Sequence, residues 1–194
     1  MIDQALTRER ILEAAEEVLR RFGPAKATVV DVARALGVSH GSVYRHFPSK
    51  AALRDAVTER WLARVAAPLT PIANEDGPAP ERLRRWLQAL MTAKRAKVLE
   101  EPELFQTYMA LVAEAREVVA AHVAHLTDEV AQIIADGVRR GEVQAADPRI
   151  SARAVLDAMA KFHHPAHASG WSDPNLDAAF EAVWALVAKG LGAD

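Results

Sequence analysis

Between Gly37 and Lys50 the sequence reads GVSHGSVYRHFPSK. This tract crowds hydrogen-bonding groups into a span with only three large apolar residues, Val38, Val43 and Phe47. Arg45 has the fork geometry that pairs with guanine O6 and N7, while His40, His46, Ser39 and Ser42 can reach base edges or phosphates. Tyr44 offers a hydroxyl to a phosphate and a ring to a sugar or a thymine methyl. Gly41 permits close approach of the helix backbone. Lys50 can meet a phosphate beside the free N–H groups of the helix it opens, and Thr28 has the same position on an earlier helix. Such contacts fix register, whereas base contacts specify sequence. The chemistry points to an acceptor-rich polyanion.

The elements that must position these groups read as helices, because Ala, Leu, Glu and Arg dominate and alternating β-branched runs are missing. A first helix is expected from Thr7, its N-cap, to Phe22, with Ile11, Leu12, Ala15, Val18, Leu19 and Phe22 on one stripe. Gly23-Pro24 ends it. Thr28 and Asp31 form an approximate capping box for a second helix, whose stripe is Val29, Val32, Ala33 and Leu36. Gly37 stops it in a left-handed conformation. Ser39 caps a third helix from His40 to about Phe47, in which Val43 and Phe47, four residues apart, share the anchoring face. Ser49 caps a fourth helix reaching about Leu69. Two short helices joined by Gly37-Val38-Ser39 make a helix-turn-helix, a motif that sets its second helix in the major groove.

From about Arg8 to Leu53 the sequence resembles the N-terminal domain of TetR-family transcriptional regulators. The residues that carry the likeness are RILEAAEEVLRRFG and TVVDVARALGVSHGSVYRHFPSKAAL. The resemblance implies an all-α homodimer: a three-helix DNA-binding domain, residues 1–52, and a helical-bundle domain for effector binding and dimerisation, residues 53–194, about nine helices in all. It implies that Ser39, His40, Ser42, Tyr44, Arg45 and His46 face a double-stranded DNA operator, with Thr28 and Lys50 on phosphates. The expected activity is repression relieved by a small-molecule effector. A ligand-binding or protein-interaction bundle that does not act through DNA is the alternative.

In the remainder, Thr70–Pro80 reads as a loop, and Pro80 opens a fifth helix from Glu81 to about Val98 with Leu83, Trp86, Leu87, Leu90 and Met91 inward. Pro102 opens a sixth. A seventh runs from Arg116 to Arg140, with Val119, His122, Val123, Leu126, Val130, Ile133, Ile134 and Val138 inward. Asp147-Pro148 starts an eighth that continues through Val155, Met159 and Phe162 to about His164. HASGWSDP reads as a second loop, and Asn175 to Gly190 as the last helix. Trp86, Phe105, Tyr108, Met109, His122, Met159 and His163 are candidate effector-pocket residues. Val155, Phe162, Leu176, Phe180, Val183, Trp184 and Val187 are candidates for a dimer seam.

Charge divides along the chain, at +3 over residues 1–54 and −5 over the rest, which suits a polyanion partner for the first part alone. No cysteine is present, so neither disulfides nor thiolate chemistry is available. No membrane span or signal sequence is apparent, and a cytoplasmic location is the default expectation. His163, His164 and His167 with Asp173 could be metal ligands, but adjacent histidines at a helix end point apart and suit the helix dipole; no metal or cofactor is expected. The RLRRW cluster, Arg82–Trp86, reads as a solvated face. Glu100, Glu101 and Glu103 complement a helix start. There is no Gly-x-Ser-x-Gly elbow, phosphate loop or His-Glu-x-x-His, so no enzyme is expected.

Overall fold

The computed structural model describes residues 5–100 and 102–193. Its regular structure among these residues is all helical: α1 (Arg8–Lys26), α2 (Val29–Leu36), α3 (His40–Tyr44), α4 (Lys50–Ala66), α5 (Leu69–Asn74), α6 (Ala79–Glu100), α7 (Pro102–Glu114), α8 (Arg116–Arg140), α9 (Pro148–Ala158), α10 (Ala160–His163), a 3-10 turn (Pro165–Gly170) and α11 (Leu176–Gly190). The chain clusters into two compact units, Met1–Leu62 with Pro102–Ala120, and Ala63–Glu101 with Ala121–Asp194.

In the first unit, α1 packs on α2 and α7, and α2 on α3. Thr7 caps α1 by accepting from the Arg10 N–H at 3.2 Å, and Ile11, Leu12, Ala15, Val18 and Leu19 are buried. The α1 backbone is interrupted at Gly23, whose φ of 72° lies outside the helical region. Phe22, expected on the buried stripe, is exposed and lies under the Arg21 guanidinium at 5.2 Å; it is the last residue before the break, where the stripe runs out. Arg60 of α4 meets Glu9, Glu13 and Glu16 along α1 at 2.9, 3.6 and 3.3 Å. Arg54 bridges to Glu114 of α7 at 2.8 Å and donates to the Pro24 carbonyl. The Trp61 ring stacks on Tyr108 at 4.6 Å, with Phe105 tilted against it at 6.5 Å.

In the second unit, α5 and α10 both pack on α6, α10 also packs on α9, and α9 on α11. The stripe on α6 is as expected, with Leu83, Trp86, Leu87, Leu90 and Met91 all buried. On α8 the stripe holds from Leu126 through Ile134, but Val138 is exposed in the last turn. Glu129, inside this unit, accepts from the Trp86 indole N–H at 3.0 Å and the Thr70 hydroxyl at 2.6 Å.

Several expectations change. The loop expected over Thr70–Pro80 holds a helix, α5, because Pro71 sits in a first turn whose N–H groups have no intrahelical partner anyway. Buried Leu69 and Ala73 hold that turn down. Arg82 is not on a solvated face: it is only 1% exposed and donates to the Ala73 and Glu75 carbonyls, covering the end of α5. Its other terminal nitrogen meets Asp136 at 2.9 Å. Burial alone would raise the Asp136 carboxyl, but the Arg82 hydrogen bond and the Arg139 charge hold it below the ordinary carboxylate range. Arg84 and Arg85 are paired as well, with Glu181 and Glu75, both at 2.6 Å. The fourth helix stops at Ala66 rather than Leu69, two residues before Pro68.

The expected eighth helix is two, α9 and α10, divided by a tight turn at Met159 (φ −89°, ψ 6°). No proline or glycine marks that turn. It lets α9 face α11 while α10 faces α6, with Phe162 edge-on to Phe180 at 5.5 Å. The HASGWSDP loop begins inside the 3-10 turn and is pinned by buried Trp171, whose indole N–H donates to the Lys161 carbonyl at 2.9 Å. Glu101 and the side chains of Glu100 and Glu103 lie outside the described residues.

Candidate nucleic-acid interface

The interface is built from α2, the turn and α3. Thr28 caps α2 through a complete capping box: its hydroxyl oxygen accepts from the Asp31 N–H, and its own N–H donates to Asp31 Oδ2, both at 3.2 Å. The Thr28 hydroxyl also donates to that carboxylate and, with the Arg34 charge, holds Asp31 below the usual range. Gly37 takes φ 68° and ψ 29°, and its N–H closes on the Ala33 and Arg34 carbonyls. A side chain there would be strained, so glycine sets the angle at which the chain leaves α2.

Ser39 then caps α3, accepting from the Ser42 N–H at 3.2 Å. The two hydroxyls lie 2.9 Å apart, and Arg45 donates to the Ser42 oxygen at 3.0 Å. A hydrogen-bonded row of Ser39, Ser42 and Arg45 therefore runs along the head. The helix is shorter than expected, ending at Tyr44 instead of Phe47. Arg45 to Phe47 continue as a turn in which the His46 and Phe47 N–H groups share the Val43 carbonyl at 3.0 Å. Pro48 lacks an N–H to continue the ladder, and Ser49 starts α4 by accepting from Ala52 at 3.0 Å.

Burial separates the two sides of this head. Val43 and Phe47 are buried, at 0% and 2% exposure. Ser39, His40, Gly41, Tyr44, Arg45 and Lys50 are exposed, as is Thr28, while Ser42 and His46 are half-buried. His40 and Tyr44 meet edge to face at 6.3 Å. A Cβ added at Gly41 would meet only Ser39 Oγ, at 3.8 Å, so nothing within the subunit requires glycine there. Arg8 was not anticipated: its guanidinium lies 4.4 Å over the Phe47 ring and reaches the His46 carbonyl at 3.5 Å, steadying the end of the head. An arginine one residue after the cap of α1 was the available signal.

The other candidates separate into groups. Phe105 and Tyr108 belong to the stack with Trp61 in the first unit, and Met109 is half-buried on the same helix. In the second unit Trp86 is tied to Glu129 and Met159 is buried at its turn. His122 and His163 come together with Lys94, a residue that sequence reasoning passed over although it continues the stripe of Leu83, Leu87 and Leu90. Burial pushes Lys94 down to about 8. It also pushes His122 and His163 down to about 3 and about 4, each depressed further by the Lys94 charge. His164 Nδ1 accepts from the Ala166 N–H at 3.3 Å, capping the 3-10 turn; among the described residues no group of three or more metal-ligand side chains is gathered. Of the seam candidates, Val155, Phe162, Leu176 and Phe180 are buried in this chain's own core. Val183, Trp184 and Val187 are half-buried, beside Leu186 at 72% exposure.

No described helix is long and apolar enough to cross a membrane. Residues 11–57 match the model for bacterial regulatory proteins of the tetR family, and residues 79–184 match that for the tetracyclin repressor-like C-terminal domain. The nucleoid occlusion factor SlmA of Vibrio atlanticus is 34% identical over 85 residues, 43% of each chain, so the matched segment spans less than half of that relative's length. NalD, the secondary repressor of the MexAB-OprM multidrug efflux pump in Pseudomonas aeruginosa, superposes with a TM-score of 0.58 at 25% identity, over 95% of both chains. The regulator FadR of Bacillus subtilis, solved with stearoyl-CoA, gives a TM-score of 0.63 at 16% identity, over 93% of this chain and 97% of its own. The motif on α2 and α3 and the match over more than half of the sequence lead to one assignment: the chain belongs to the TetR family of bacterial regulatory proteins.

Proposed function

We propose that the protein is a sequence-specific DNA-binding repressor that leaves its operator when a small organic effector occupies the second unit. The observation that carries this reading is the division of residues 40–47, α3 and the turn after it, into a buried anchor, Val43 and Phe47, and an exposed row of His40, Gly41, Tyr44 and Arg45. A five-residue helix that keeps a glycine without internal need, and exposes a tyrosine at 41%, is shaped for an outside partner. Thr28 and Lys50 flank the row at the starts of α2 and α4 and serve as phosphate contacts, with Arg45 on a base edge.

The working unit is a homodimer, its two heads in successive major grooves about 34–36 Å apart. Its seam runs along α11, where Val183, Leu186 and Val187 share a face at helical spacing and Leu186 is bare. An effector shifts the pair toward a spacing that does not fit the duplex, by no more than its differential affinity for the two states. On this reading the protein works in the cytoplasm, alongside its DNA. Relatives solved as a repressor and as a ligand complex support it.

The test is a selection of bound duplexes from random DNA, followed by binding measured against salt. A pseudo-palindromic consensus whose affinity falls steeply with salt is expected, because several phosphates are neutralised per subunit. Absence of enrichment, or a flat salt dependence, would favour a helical bundle that does not act on DNA.

A further inference from the structure

Lys94 is a lysine that the fold buries without supplying a counter-charge among the described residues. It sits on α6 at 6% exposure, one turn beyond Leu90 and Met91, both buried. The buried Arg82 of this unit, by contrast, has Asp136 and two carbonyls on its terminal nitrogens. Lys94 makes no hydrogen bond or ion pair among the described residues. Its neighbours do not neutralise it either. His122 of α8 and His163 of α10 both feel its charge, and His125 adds a further repulsion on His122. His163 also feels Asp157, whose carboxylate already accepts from Arg153 at 3.1 Å, and His125 meets Glu129 at 3.4 Å, a carboxylate that already accepts from Trp86 and Thr70.

Two further groups shape the place. His122 Nε2 is buried with no hydrogen-bond partner. His163 donates from Nε2 to the Leu156 carbonyl at 2.9 Å, a bond that fixes its ring. Met159 and Phe162 are buried on the same short segment as His163. A buried ammonium without a counter-charge costs more than almost any other single feature of a core. A buried imidazole nitrogen left unpaired adds to that cost. Both deficits are removed by one guest, an anion with an acceptor oxygen for each group and an apolar body.

We infer that Lys94, with His122 beside it, forms the anion-binding end of the effector site, and that the effector is a small apolar carboxylic acid bound as its carboxylate. This rests on the second unit being the effector-binding body, and it names the chemical class that body recognises. Lys94 supplies the charge, His122 a hydrogen bond, and the apolar flank of α6 and α10 receives the hydrocarbon.

The test is titration calorimetry on the full chain without DNA, using octanoate against octanamide and benzoate against benzamide. At least one acid should bind tenfold or more tightly than its amide. In Lys94→Met that preference should vanish while the amide binds as before. Lys94→Gln, which keeps a donor without the charge, should behave likewise and guards against a variant that does not fold, which circular dichroism would reveal. Equal binding of acid and amide, no binding of either pair, or a preference that survives both substitutions would overturn the inference. A protein that binds octanoate through Lys94 yet selects no duplex would refute the repressor reading alone; one that selects an operator but ignores both acids would refute this inference alone.

Discussion

Replacing Lys94 with methionine should make the unliganded protein more stable. The two side chains have similar aliphatic length, so the main change is removal of a charge from a site where burial lowers its pKa from 10.5 to about 8. In the unfolded chain the lysine keeps its ordinary value. Below pH 8 both states are protonated, and the folded state carries the whole cost of burying the ammonium. At about 1.4 kcal/mol per pH unit of displacement, that cost is roughly 3 kcal/mol. Between pH 8 and 10.5 the folded protein has released the proton while the unfolded chain still holds it, so wild-type stability rises with pH. Above 10.5 the penalty is gone. The difference between Lys94→Met and wild type should therefore be near 3 kcal/mol at pH 7 and shrink steadily to pH 10.5. Denaturant unfolding at four or five pH values measures it, and other titrating groups cancel in the subtraction. A difference that stays flat across this range, or a variant less stable at pH 7, would mean that Lys94 is neutralised within the fold.

Other substitutions test the remaining parts. Arg45→Ala should cost about 1–3 kcal/mol of operator binding and relax one position per half-site; a uniform loss across sequences, read by competition binding, would move Arg45 to a phosphate. Phe47→Ala should destabilise the first unit by about 3–5 kcal/mol, since it empties a nearly sealed site and removes the platform under Arg8; thermal unfolding checks it. Gly137→Ala should cost on the order of 1–3 kcal/mol, because the new Cβ would lie 2.7 Å from Ala79 Cβ and from a Val143 methyl, and an unchanged melting temperature would show that α6 can yield. Leu186→Asp should give monomers by light scattering if α11 forms the seam; a persistent dimer would place the seam elsewhere.

What was legible in the sequence follows its local physics. Thr28 with Asp31, Gly37, Ser39 and Ser49 each act through a hydrogen bond or a dihedral angle among near neighbours in sequence, so the helix-turn-helix is written locally in the chain. The bounds of α8, from Arg116 to Arg140, follow from an unbroken apolar period ended by Gly141. The turn at Met159 was invisible, because it depends on α9 and α10 packing against different neighbours and no residue there breaks a helix by itself. The residues Leu69–Asn74 were obscured by proline, whose tolerance in a first turn depends on where the helix begins. Lys94 was passed over for a different reason: lysine at a stripe position usually extends its amine to water, and only the surrounding helices of the fold close off that route. Among the seam candidates, periodicity marked an apolar face without telling that Val155, Phe162, Leu176 and Phe180 are already covered within the same subunit.

The reading head is five residues of helix, too short to persist in isolation. Its orientation is borrowed from Val43, Phe47 and the left-handed glycine before it, while His40, Tyr44 and Arg45 hold up none of the surrounding architecture. On the proposed reading, recognition and foldedness are carried by separate letters of the same short word. Substitutions at these exposed side chains then change, on that reading, which operator is addressed while leaving the buried anchor intact.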